Sequence, residues 1–194
     1  MQLRHVAGAG PAAWISTLTF QEATTFGPAG FEAYARLRFI PDPIRPGQSE
    51  NQVELPARHT SDLDQARRAF AHLARHTTAA ERCYFCLWDG YPYERLPAGT
   101  GPHVVVHLPD RDYWLMEGPL TALQSWETDL GAGGPWVPPA FVWPADQAWI
   151  FVSDVDPHWA GIGASRAAVT DLLDDPGLDV VVADPHEPQP SYSC

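Results

Sequence analysis

Hydrophobic and polar positions repeat along this chain with two periods, and the switches between them mark its elements. In 62–76, DLDQARRAFAHLARH, Leu63, Ala66, Phe70, Leu73 and Ala74 form one apolar stripe at helical spacing. Ser61 or Asp62 can cap the start of that helix, and Arg75 and His76 suit the negative end of its dipole. In FEAYARLRF, 31–39, Ala33, Ala35, Leu37 and Phe39 alternate with Tyr34, Arg36 and Arg38, the period of a half-buried strand. CYFCLWD, 83–89, is an aromatic, apolar run closed by Gly90 and Pro92, which predicts a central strand. HVVVHL, 103–108, and DYWLME, 112–117, flank Pro109-Asp110-Arg111 and should pair as an antiparallel hairpin. A short helix over 119–126, begun by Pro119, follows.

The densest signal lies in 143–176, WPADQAWIFVSDVDPHWAGIGASRAAVTDLLDDP. A buried strand is predicted over 147–155, and Gly161 and Gly163 leave room for a close backbone approach in a second short strand. Ser165 caps a helix through Leu173 that Asp174-Asp175-Pro176-Gly177 stops, and 178–183, LDVVVA, reads as a last strand. PAAWISTLTF, 11–20, fits a helix or a strand equally well. Pro/Gly-rich loops are expected near 40–60 and 131–144, and a loose polar tail from about 185. The sum is an α+β fold over a single domain, 1–194. Its mainly antiparallel sheet would have about five to six strands, with helices packed on one face. With no glycine-rich phosphate loop after a strand, a nucleotide-binding doubly wound fold is disfavoured.

With 194 residues and 45% hydrophobic content, the chain can bury one substantial core. No apolar run approaches the roughly 20 residues that cross a bilayer, and the N-terminal residues lack a signal peptide's apolar stretch. Three cysteines, Cys83, Cys86 and Cys194, suit reduced thiols, so a cytoplasmic protein is expected. All twelve basic residues other than histidine are Arg. Residues 1–109 carry ten Arg against ten acids, and 110–194 carry two Arg, Arg111 and Arg166, against fourteen, which puts the net charge of -12 in the second half. Such a field repels nucleic acid and membrane phosphates and attracts a basic partner.

Candidate chemistry is sparse. Cys83 and Cys86 have the spacing of half a zinc site, and His72 and His76 share a helix face nearby, so these four could ligate one ion. Against that, residues three apart on a strand point to opposite faces. His103 and His107, about 13 Å apart along a strand, could not share an ion. Asp154, Asp156 and His158 project to one side of an extended chain and could hold a divalent cation or share acid-base work, although a solvated acidic turn explains them as well. Neither Ser153 nor Ser165 sits in a nucleophile elbow. Eight Trp are many, and Trp136, Trp143 and Trp159 fall at loop margins where exposed rings could anchor a partner.

ARHTTAAERCYFCLWDG (74–90), LPDRDYWLMEGPL (108–120) and WPADQAWIFVSDVDPHWAGIGAS (143–165) resemble, in order and spacing, a family of uncharacterised actinobacterial proteins. Those carry a CxFCxW strand, an LxEGPL hairpin end and a WPxDxAW segment followed by DxD and GxS. The chain departs from that pattern at Pro157-His158-Trp159 and at Gly161-Ile162-Gly163. In layout it is also distantly similar to SUKH-type immunity proteins, which implies an immunity or antitoxin role. The leading expectation is a cytoplasmic, non-catalytic binding protein without a cofactor. Its acidic C-terminal face, with Asp171, Asp174, Asp175 and the three Trp anchors, would meet a basic protein partner. The alternatives are a metal-dependent enzyme or zinc protein using the ligand sets above, and a small-ligand binder using a pocket between the two Pro-rich loops.

Overall fold

The computed structural model describes residues 3–91, 93, 96, 104–131 and 137–193. Nine strands among them form one antiparallel sheet. They are β1 (Arg4–His5), β2 (Ala33–Arg38), β3 (Cys83–Trp88), β4 (Val105–Leu108), β5 (Arg111–Gly118), β6 (Phe141–Pro144), β7 (Ile150–Val152), β8 (Trp159–Ala164) and β9 (Val180–Ala183). Their order is β1-β5-β3-β6-β7-β8-β2-β9, with β4 beside β1 along the same edge of β5. The helices are α1 (Phe20–Thr24), α2 (Asp62–Leu73), α3 (Trp126–Leu130) and α4 (Arg166–Leu173).

The fold class is α+β as the pattern predicts, but the sheet exceeds five to six strands. Much of the excess comes from short strands that carry little periodic signal. The four residues of β6, read from sequence as the end of a Gly/Pro-rich loop, pair with β3 on one side and β7 on the other, which makes β6 a central strand. The strand expected over 147–155 shrinks to three residues, because Gln147 turns the chain with a φ of 54°.

Nor do the helices keep to one face. Alternation along β3 sends Cys83, Phe85 and Leu87 to one core and Tyr84 and Cys86 to the other. The first core takes Phe70 of α2, Trp126 of α3 and Val169 of α4. The second is closed by the N-terminal segment, through Ile15, Leu18 and Ala23 of α1. Covered on both sides, β3 reads as a continuous apolar run without polar alternation.

Several local expectations stand. Ser61 and Ser165 cap α2 and α4, each side chain accepting the backbone N–H three residues on. The β4–β5 hairpin turns at Pro109-Asp110, with Asp110 at φ 60° and Arg111 already in β5. A Cβ on Gly161 would overlap the Thr25 carbonyl, and one on Gly163 would come within 2.5 Å of the Phe31 ring. These two glycines let the segment around α1 lie directly on β8. The tail is held down instead of loose: Tyr192 donates its hydroxyl to the Pro41 carbonyl, Ser193 its N–H to Gln48, and Trp159 its indole N–H to Pro190. No helix among the described residues is long and apolar enough to cross a membrane.

Candidate functional site

Asp171 in α4 and Asp174 and Asp175 just after it are the first candidates, and two of the three face inward to α2. Arg68 holds Asp175 through two hydrogen bonds, and His72 reaches the same carboxylate at 2.7 Å. Asp171 takes Arg75 at 2.9 Å and His76 at 2.8 Å. The Arg68 guanidinium, the Gly177 N–H and His72 together hold the Asp175 carboxyl far below the usual carboxylate range. Asp174 alone of the three is exposed and makes no ion pair among the described residues. Asp171 and Asp175 therefore seam α4 to α2 and are not a free acidic face.

The same seam removes His72 and His76 from a zinc set. Cys83 and Cys86 lie in opposite cores, as their spacing on a strand requires. Burial, with Asp146 and Glu81 nearby, pushes the Cys83 thiol up to about 12, and burial raises Cys86 further. The four proposed ligands do not converge, and no group of three or more His, Cys, Asp or Glu among the described residues could hold a metal ion. His103 and Cys194 lie outside the described residues.

Asp154, Asp156 and His158 do sit together, in the turn between β7 and β8, but each has a partner. Arg111, at the start of β5, bridges Asp154 and Asp156 at 3.3 Å. Its guanidinium also lies 5.7 Å from the Phe20 ring centre and 5.4 Å from that of Trp88. The Asp154 side chain is 4% exposed and that of Asp156 is 75% exposed, so one anchors the turn and the other faces outward.

His158 is buried and places Nε2 3.0 Å from Asp42. Asp42 also accepts from both Nη atoms of Arg36 and from Arg38, which in turn reaches Asp179. Burial alone would raise the Asp42 carboxyl, but the hydrogen bonds from Arg36, His158 and Arg38 outweigh it and hold the group far below its ordinary range. An ionised carboxylate only accepts, so His158 Nε2 donates to Asp42.

Two clefts meet at this turn. The smaller, about 160 Å³, lies between the two Pro-rich loops, with Ile40, Glu50 and Asp62 on one side and Pro138 on the other. Burial, augmented by Glu50 and offset in part by His59, raises the Asp62 carboxyl. The larger, about 530 Å³, opens under the tail and is walled by Phe20, Phe26, Trp159 and Tyr192. Asp154, Asp156 and Glu187 contribute its carboxylates. Among the described residues, neither cleft has an arginine in its lining.

The expected Trp anchors are not exposed. Trp143 is fully buried between Trp14 and Tyr84, and Trp159 is 3% exposed, stacked on Phe26. Trp143 lies within β6, which sends its ring into the second core, whereas Trp159, at the start of β8, is covered by Phe26 and by the tail at Pro190. Trp136 lies outside the described residues. What the sequence reading missed is Arg111, whose signal was its place as one of two Arg in the acidic half, and the partnership of Asp42 with His158 across 116 positions, which has no sequence signal. No family model, curated protein or solved structure compared with this chain matches it.

Proposed function

We propose that this is a non-catalytic binding protein that receives a basic protein partner at the acidic, ring-walled turn 154–158. One observation carries the reading. Glu50, Asp62, Asp154, Asp156 and Glu187 line the two clefts, and among the described residues Arg111 is the one cation in ion-pair contact with any of them. Five carboxylates against one paired arginine leave surplus negative charge in concave surface, where a low-dielectric wall focuses the field on an approaching cation. This moves the recognition surface from the α4 acids to the β7–β8 turn, since Asp171 and Asp175 are already paired within the chain. An immunity-like role against a basic toxin is the form this takes if the resemblance in layout to SUKH-type immunity proteins extends to function.

The test is calorimetric titration of the whole chain with purified basic peptides at about 0.02 M and about 0.3 M salt. Binding should weaken with salt, and weaken again in a Glu50→Gln/Asp156→Asn double variant, both side chains being exposed. Asp174→Asn should leave it unchanged. Affinity indifferent to salt and to the double variant would overturn the proposal.

A further inference from the structure

We infer that the larger cleft is a receptor for an arginine side chain of the partner, an assignment that rests on the reading above and narrows it. The chain itself carries the precedent. Arg111 is held by Asp154 and Asp156 with its guanidinium over the Phe20 ring, and those three residues are also lining residues of the cleft. Arg111 engages only one oxygen of Asp156, and Glu187 across the cleft makes no ion pair among the described residues. Acceptors therefore remain on two sides.

Such a lining selects a planar cation with several donors over a point charge. A guanidinium offers five N–H groups in one plane and stacks on aromatic faces, whereas an ammonium is compact and strongly hydrated. Phe20, 43% exposed, and Tyr192 supply rings at the opening. The volume, about 530 Å³, exceeds one side chain and admits the arginine with flanking residues of an extended segment. Tyr192 and Pro190 hold the tail as the opposite wall, so the receptor is assembled from both ends of the chain.

The experiment compares arginine-rich and lysine-rich peptides of equal length and charge, titrated into the whole protein and into the Phe20→Ala, Asp156→Asn and Glu187→Gln variants. The arginine peptide should bind at least about tenfold more tightly, a difference of about 1.4 kcal/mol, and each variant should reduce that preference. Equal, salt-sensitive affinity for both peptides would overturn the guanidinium assignment and leave the basic-partner reading standing. An arginine preference unchanged in all three variants would overturn the location. Binding of neither peptide would overturn both readings.

Discussion

Asp42 is the residue on which the charges behind the clefts close. It accepts from Arg36, Arg38 and His158, and so couples the first Pro-rich loop to β2 and to the start of β8. Its carboxyl titrates lower in the folded protein than in the unfolded chain, where it stays near 3.8. The stability it contributes is therefore complete above pH ~4 and is lost as pH falls through the folded value. Asp42→Asn should lower the urea midpoint at pH 7 and flatten its decline between pH ~4 and lower pH. An acid limb as steep as the parent's would contradict this. Nothing local marks Asp42, since its partners lie four, six and 116 positions away and only the fold brings all three to it.

At the scale of elements, the seam between α2 and α4 divides the acids of 171–175 by helical geometry. Asp171 and Asp175 are four apart and share the face toward Arg75, His76, Arg68 and His72, whereas Asp174 turns to solvent. Asp175→Arg should depress the melting temperature by setting a cation against Arg68. Asp174→Arg should stay within about 0.5 kcal/mol of the parent. Equal effects in a thermal melt would refute the seam. The spacing of 171 and 175 was readable, but that an α2 face would meet them was not, because their long-range pairing needs both helices on the same side of the sheet. β6 was hidden for a different reason. A four-residue strand after a Gly/Pro-rich stretch is shorter than the window in which a period-2 pattern can be told from a loop.

Over the whole molecule, the net charge of -12 is not spread as the sequence order suggests. Arg38, Arg67, Arg68 and Arg75, all from the first half, neutralise Asp179, Glu127, Asp175 and Asp171 of the second, whereas Asp154, Asp156 and Glu187 around the larger cleft have, among the described residues, only Arg111 in ion-pair contact. The tail completes the larger cleft and covers Trp159. Truncation after Ala183 should expose that indole, shift tryptophan emission to longer wavelength and abolish the arginine preference. Unchanged emission together with unchanged preference would show that the tail has no part in the site.

By itself the sequence determined what local chemistry can determine. It specified the capped helices α2 and α4, the β3 run, the Pro109-Asp110 hairpin and the glycines that admit a close backbone approach, each set by residues within a turn or two of one another. The tertiary structure decided the number of strands, the two-sided covering of the sheet, the burial of Trp143 and Trp159, and which acids remain unpaired. Those outcomes depend on contacts between residues far apart in the chain. A side chain's spacing fixes its direction from its own element, but only packing fixes what it meets there.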